Sequence, residues 1–325
     1  MNCYLPNRRR LETVMDRIVR RIRTYPLSLR QLGREWWSTL GPNPRRYHSA
    51  PDAPPLLHLP IWMAEGRRGR GASLAAAQLG AVLEATALLY FHTRIQDNVL
   101  DEPETRGGAP QLLLGNMLVW EAWERLRPLP LSDRFWSRAN EAWRIFSSET
   151  EAERRQTQDP TPYSPARFRR HARKVALARI PLYAVIDGDK NADKSSIDNF
   201  IDRLGQAYGL VNDVIGVERD LQAGLRTYLI ATVEEALPKR CRRDPVALRR
   251  ALLKYPHLEQ FLEQAIALHR RIQPLGEALG IARMGPYTSE RIERIRHHHA
   301  RALGLRLQFA LAGKSWPPRG IAAKD

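Results

Sequence analysis

Apolar residues recur with the 3.6-residue period of an α-helix along most of this 325-residue chain. Alternating runs of Val, Ile and Thr and Asn-Gly hairpin turns are nearly absent. Successive side chains of a strand point to opposite faces, so a helical period does not fit a sheet. The sequence therefore predicts an all-α helical bundle. The predicted helices span residues 7–24, 28–39, 73–102, 110–127, 132–157, 165–187, 196–222, 226–236, 245–253, 257–282 and 288–312.

Proline and glycine mark the breaks between these helices. The Pro-rich stretch 42–60 is the only candidate linker, and the pieces before it are too short to form a domain of their own. We therefore expect residues 1–60, basic helices and the Pro-rich segment, to pack on one helical domain formed by residues 61–325.

The net charge is strongly positive, with 52 Lys and Arg against 35 Asp and Glu. These cations are spread along the chain and no RNA-binding or zinc-finger signature accompanies them, so nucleic acid is not an expected partner. Cys3 and Cys241 stand far apart, which excludes a disulfide framework and fits a reducing compartment. The first 25 residues lack the apolar run of a secretory signal. We expect a cytoplasmic protein.

Two segments bear on membrane contact. Arg10–Arg23 carries an apolar stripe opposite several arginines, which fits either the first helix of the bundle or a helix lying on a membrane surface. Leu74–Phe91 is the longest apolar stretch, but Gln78 and Glu84 interrupt it, which favours a buried helix over a membrane span.

The end of the predicted helix 73–102 is acidic. Asp97 and Asp101 are four residues apart, so they project from one face of the helix about one turn from each other. Carboxylates at this spacing can share a divalent cation. The preceding residues are apolar, so the pair would form the polar rim of an apolar wall. The alternative is a solvated helix end, although acidic groups there oppose the helix dipole.

A second polar stripe follows on helix 196–222. Asn212, Gly216 and Asp220 are spaced by four, so they lie on one face over about 12 Å. An amide oxygen and a carboxylate on either side of a small residue leave room for Mg²⁺ and its water. The alternative is an ordinary amphipathic helix. Together the two motifs describe a cavity with a metal-lined rim and an apolar interior.

These two motifs resemble those of the class I isoprenoid synthase superfamily, which includes terpene cyclases, trans-prenyl diphosphate synthases, and squalene and phytoene synthases. The segment 97–101, Asp-Asn-Val-Leu-Asp, is similar to the aspartate-rich first motif, with Asn98 at its middle position. The segment 212–220 resembles the cyclase metal triad, with Asp220 in place of glutamate. No second aspartate-rich motif of the chain-elongating kind is present. The resemblance covers residues 66 to 230.

The resemblance implies a class I α-helical bundle with a central apolar cavity and about three Mg²⁺ ions, or Mn²⁺, bound with a prenyl diphosphate. It implies catalytic roles for Asp97, Asp101, Lys174 and Arg226. The implied metal ligands are Asp97, Asp101, Asn212, Gly216 and Asp220. The implied diphosphate-binding residues are Arg106, Arg167, Arg170, Lys174, Arg226 and Tyr228. The cavity candidates, several of them aromatic residues able to steady a carbocation, are Tyr90, Phe91, His92, Thr93, Trp120, Tyr183 and Tyr208.

Three functions remain open on the sequence. The first is a Mg²⁺-dependent terpene synthase that ionises a C15 or C20 prenyl diphosphate and cyclises or quenches the carbocation. The second is a prenyltransferase, either chain-elongating or of the squalene and phytoene kind. The third is an inactive helical protein that binds an anionic membrane or nucleic acid, since Asn98, Gly107 and Gly216 depart from the family pattern. A homodimer is compatible with each of them.

Overall fold

A computed structural model describes residues 3–50, 53–67, 74–101, 108–158, 161–189 and 193–312. The side chains at positions 101, 109, 157, 158 and 312 lie outside this description. Within these ranges every regular element is helical and none is a strand, which confirms the all-α prediction. The α-helices are α1 (Arg8–Ile22), α2 (Leu27–Ser38), α3 (His58–Gly66), α4 (Ala76–Asp101), α5 (Gly108–Leu126), α6 (Asp133–Gln158), α7 (Pro165–His171), α8 (Arg179–Ile186), α9 (Lys194–Gln222), α10 (Tyr228–Glu235), α11 (Pro245–Lys254), α12 (His257–Ala278) and α13 (Met284–Ala312).

Contacts between Cα atoms divide the chain into two compact units. Residues on both sides of position 60 belong to the same unit. The boundary proposed there remains a prediction. The first unit comprises Met1–Ser147, Lys174–Ile201 and Pro274–Tyr287, and the second comprises Ser148–Arg173, Asp202–Gln273 and Thr288–Asp325.

In the first unit, α4 packs most extensively against α5. Gly115 permits this approach, because a Cβ there would lie 3.3 Å from the Nδ1 atom of His92. His92 Nδ1 donates a hydrogen bond of 3.0 Å to the Gly115 carbonyl oxygen. Its ring also stacks on Trp143 at 5.5 Å. His92, a candidate cavity residue, is 3% exposed and is used to join α4 to its neighbours.

The basic N-terminal helix α1 turns its apolar stripe into the first unit. Five of its apolar residues are almost fully buried: Leu11, Val14, Met15, Ile18 and Ile22. On its other side, Arg17 pairs with Glu84 of α4 at 2.6 Å, which accounts for a carboxylate inside the longest apolar stretch. A membrane contact of α1 would therefore have to use its basic face alone. None of the helices in the described ranges combines the length and apolar character that a bilayer span requires.

Helix α3 begins at His58, inside the Pro-rich stretch 42–60, and continues to Gly66. Pro60 is the third residue of α3, where its missing N–H leaves no helical hydrogen bond unmade. Residues 58 to 64 are all buried. His58 stacks on Tyr4 with ring centroids 4.1 Å apart, and the Tyr4 hydroxyl donates to the Ala53 carbonyl at 2.9 Å. Tyr4 thus connects the Pro-rich segment to α3, by a hydrogen bond to Ala53 and by ring stacking on His58.

Because three histidines are buried, we expect acid to destabilise the fold. Burial lowers the pKa of His48 to about 3, of His58 to about 4 and of His269 to about 3. The unfolded chain, with histidine pKa values near 6.5, binds more protons below that pH, so the free energy of unfolding falls as the pH drops. Each histidine contributes about 2 kcal/mol of this loss between pH 6.5 and pH 5.

Urea unfolding at pH 7 and pH 5 measures this effect, since most carboxylates titrate at lower pH. We expect a lower unfolding free energy at pH 5. His48→Asn should reduce the difference between the two pH values, and His297→Gln, an exposed control on α13, should leave it unchanged. Equal stability of the wild-type chain at both pH values would contradict the argument.

The segment 165–187, predicted as one helix, consists of three pieces. Helix α7 is followed by a 3₁₀ stretch, Ala172–Ala178, and then by α8. Pro181 gives the reason, because its ring would clash with the carbonyl of Leu177 in a continuous α-helix. The remaining helix ends agree with the predicted ones to within about one turn.

The core of the second unit forms around α10. Leu229, Val233 and Leu262 are fully buried there, and the cluster draws residues from α9 to α13. The rings of Phe168 and Tyr228 pack against its edge. This core fixes the chain on both sides of the second polar motif, since α9 ends at Gln222 and α10 begins at Tyr228.

Candidate functional site

The first acidic pair stands at the end of α4, where the sequence predicts it. Asp97 is half-buried, and α4 ends one turn later at Asp101. The helical spacing places both residues on one face, about 6 Å apart along the axis. The Asp101 side chain is outside the description. Two carboxylates at this spacing are the oxygen donors that Mg²⁺ prefers.

The second motif is arranged differently, because the carboxylate of Asp220 is bound by the neighbouring Arg219. The Nε and Nη2 atoms of Arg219 donate to Asp220 Oδ1 at 3.1 and 2.8 Å. Gly216, one turn earlier, leaves the room: a Cβ there would lie 3.0 Å from Arg219 Nη2 and 3.2 Å from Asp220 Oδ2. Asp220 is 3% exposed, whereas Asn212 is exposed at the other end of the stripe.

Asp213, beside Asn212, has a structural partner. The backbone N–H of Leu229 donates to Asp213 Oδ2 at 3.0 Å, and the Thr227 hydroxyl accepts from the N–H of Ile230. Both contacts satisfy N–H groups in the first turn of α10, which have no partner within the helix. Asp213 therefore joins α9 to α10.

These observations give a mixed result for a metal site. The α4 pair fits a divalent ion by donor type and spacing. The α9 stripe does not fit one, because Asp220 accepts two hydrogen bonds from a guanidinium and the space over Gly216 is filled. In the part of the chain that the structure describes, no three His, Cys, Asp or Glu side chains are grouped to hold a metal ion.

Two of the predicted diphosphate-binding arginines meet at Thr161. Arg226 Nη1 donates to the Thr161 carbonyl at 2.7 Å, and Arg167 Nη1 donates to the Thr161 hydroxyl at 2.8 Å. Arg226 is 8% exposed and forms an ion pair with the buried Glu234. Arg167 is exposed and also donates to Gln156. The structure thus gives Arg226 a packing role, and its role on a diphosphate stays a prediction.

The other predicted cationic residues are spread over the chain. Arg170 is exposed, and its Nε atom donates to the buried Glu149 at 3.1 Å. Lys174 is half-buried in the 3₁₀ stretch after α7. Arg106 lies outside the described residues.

Tyr228, predicted on the diphosphate, belongs to an aromatic cluster of the second unit. Its ring stacks on Phe168 at 4.5 Å and meets Tyr163 edge-on at 5.4 Å. Phe261 lies 5.3 Å away on a third side. Burial raises the pKa of the Tyr228 hydroxyl, so it remains a neutral donor at physiological pH.

The cavity candidates on α4 differ in surroundings. Phe91 is fully buried and meets Trp36 edge-on at 4.9 Å. The hydroxyls of Tyr90 and Tyr47 are 2.8 Å apart, and burial raises the pKa of Tyr90. Thr93 donates its hydroxyl hydrogen to the Tyr90 carbonyl at 2.7 Å. The four cavity candidates on α4, residues 90–93, all belong to the first unit.

The remaining aromatic candidates are not brought together. Tyr183 is 1% exposed and its hydroxyl donates to Asp198. Tyr208 is half-buried, with the guanidinium of Arg291 4.8 Å above its ring. Trp120 is 56% exposed on α5, so its predicted place in a closed cavity is not supported, because its ring remains in water.

Arg219 and Asp213 lie within the second motif, but the sequence does not predict a site role for either of them. Arg219 is an ordinary surface residue by pattern, since one residue in about seven is Arg in this chain. Its signal is the glycine three residues earlier, which leaves space for a long side chain to fold back along the helix.

Comparison with solved structures identifies the fold. Polyprenyl synthase from Caulobacter crescentus, solved with calcium and isoprenyl diphosphate, aligns with a TM-score of 0.66 at 15% identity, over 87% of this chain and 95% of that one. Heptaprenyl diphosphate synthase from Staphylococcus aureus gives 0.65 at 16% identity, over 90% and 98%. Geranylgeranyl pyrophosphate synthase from Corynebacterium glutamicum, with isoprenyl diphosphate and magnesium, gives 0.61 at 14%, over 94% and 97%.

The chain therefore shares the fold of these prenyl diphosphate synthases, and the helical fold that the resemblance implies is confirmed. No protein-family model matches the sequence, and no curated protein matches it.

Proposed function

We propose that this chain is a divalent-metal-dependent enzyme that acts on a linear allylic prenyl diphosphate, and that its reaction is prenyl transfer to a second isoprenoid substrate. The supporting observation is the fold shared with prenyl diphosphate synthases over about nine-tenths of the chain, with Asp97 and Asp101 ending the long helix α4. Prenyl transfer was the alternative on sequence, and the structural relatives favour it over cyclisation.

Ionisation of an allylic carbon–oxygen bond places negative charge on the leaving diphosphate and positive charge on the hydrocarbon. Asp97 and Asp101 would hold the divalent ion, which supplies Lewis-acid stabilisation of that negative charge. Arginine and lysine side chains add further stabilisation when they are already oriented toward the leaving group. The buried apolar residues of α4 before Asp97 exclude water from the hydrocarbon.

Terpene cyclisation is the second candidate, favoured by the spacing of Asn212, Gly216 and Asp220 on one face of α9. The Arg219 guanidinium on Asp220 argues against it, because the triad of a cyclase holds metal there. A cyclase needs one substrate, whereas a transferase needs two.

Incubation with Mg²⁺ and C10, C15 or C20 allylic diphosphate, with and without isopentenyl diphosphate, separates the two. We expect a longer prenyl diphosphate, identified by mass spectrometry, only when isopentenyl diphosphate is present. A hydrocarbon or alcohol formed from one diphosphate alone would identify a terpene synthase. Unchanged substrate in every reaction would reject the enzyme proposal and favour an inactive, anion-binding protein.

A further inference from the structure

Two carboxylates on the polar face of α9 accept hydrogen bonds from groups of the same chain. Asp220 accepts from Arg219, and Asp213 accepts from the N–H of Leu229. A magnesium ion here would need carboxylate oxygens at about 2.1 Å and room for several waters. The guanidinium over Gly216 fills that room.

We propose that the guanidinium of Arg219 takes the place of a divalent ion at the second motif, so that no metal ion binds at α9. This inference rests on the proposed prenyl diphosphate function, because the resemblance that implies this function also implies a divalent ion at the second motif. The inference differs from the sequence-based expectation, in which about three ions are bound by ligands from both motifs.

Gly216 leaves the space in which the Arg219 guanidinium lies. The guanidinium and the Asp220 carboxylate both lie against the position that a Cβ would take, at 3.0 and 3.2 Å. A larger residue at this position would bring its Cβ into close contact with the ends of both side chains. The glycine therefore leaves room for the Arg219 guanidinium beside Asp220.

The charge of Arg219 remains available to a ligand. Its side chain is 68% exposed, although its partner Asp220 is buried. A guanidinium has five N–H donors, and Asp220 receives two of them, one from Nε and one from Nη2. The other three are able to reach phosphate oxygens, with the planar geometry that suits them.

Counting bound Mn²⁺ ions by electron paramagnetic resonance of the free ion tests the inference without an activity assay. The experiment compares four proteins at equal concentration: the wild-type chain, Asp97→Asn, Asp220→Asn and Arg219→Gln. We expect Asp97→Asn to lose bound metal and Asp220→Asn to bind as much as wild type. Arg219→Gln should gain about one ion, because it removes the guanidinium from the Asp220 carboxylate and opens the space over Gly216.

Arg249→Gln is the matched control. It removes a guanidinium from Glu218 of α9, whose carboxylate accepts from Arg249 Nε at 3.0 Å and also from Gln222. The space over Gly216 stays closed, so this variant should gain no ion. A gain by this control equal to that of Arg219→Gln overturns the inference. Loss of an ion in Asp220→Asn also overturns it, as does no gain in Arg219→Gln. Unchanged metal binding in Asp97→Asn counts against the proposed function alone, since the Arg219 comparison still decides this inference.

Discussion

Replacing Asp97 by asparagine is expected to lower kcat at least about 100-fold while the folded chain keeps its stability. The substitution preserves size but removes the charge that holds the divalent ion at the end of α4. Loss of one preorganised charge-stabilising contact costs about 10²- to 10³-fold in other enzymes. The measurement is release of inorganic diphosphate under saturating Mg²⁺, with thermal unfolding recorded on the same sample.

Asn98→Ala is the control for this prediction. Asn98 follows Asp97 on the helix and points about 100° away from it, so its removal should change kcat by no more than a few-fold. Wild-type turnover in Asp97→Asn would reject the metal role of α4. Equal losses in both variants would show that the helix end, and not the carboxylate, had been disturbed.

Replacing Arg226 by methionine is expected to lower the free energy of unfolding by about 3–5 kcal/mol, because it leaves the buried carboxylate of Glu234 without its partner. Arg226 and Glu234 are 8% and 4% exposed, and the Thr161 carbonyl loses a donor as well. Urea denaturation of the wild type and the variant measures the difference.

Two further variants separate this cause from others. Arg226→Met with Glu234→Leu should recover most of the stability, because no charge is then left buried. Arg296→Met breaks an exposed pair with Glu293 on α13 and should cost no more than about 1 kcal/mol. If Arg226→Met keeps full stability and raises only KM, the residue serves the diphosphate, as the sequence resemblance implies.

The helical fold could be predicted because its signal is local. A 3.6-residue apolar period marks each long helix, and α9 is helical through Asn212, Gly216 and Asp220, so their common face follows from spacing alone. Helix α3 was not predicted, because Pro60 and the prolines before the helix look like helix breakers, although Pro60 occupies a first-turn position where proline is tolerated.

The state of the candidate site could not be predicted in the same way, because it depends on which partner each charge finds. Whether Asp220 binds a metal or a guanidinium depends on the side-chain direction of Arg219, which no periodicity reports. Likewise Arg226 matches a diphosphate-binding position by spacing, but its burial against Glu234 comes from the packing of α10. Residue type gives the available chemistry, and packing decides how it is used.

The most direct test of the proposed function is the binding of a prenyl diphosphate without turnover. Isothermal titration would use the thiolo analogue of farnesyl diphosphate, in which sulfur replaces the bridging oxygen, with inorganic diphosphate as the comparison. We expect Mg²⁺-dependent binding of the analogue that is tighter than binding of inorganic diphosphate and is weakened by Asp97→Asn. Binding that is the same with Mg²⁺ and with EDTA, or equal for both ligands, would contradict this expectation.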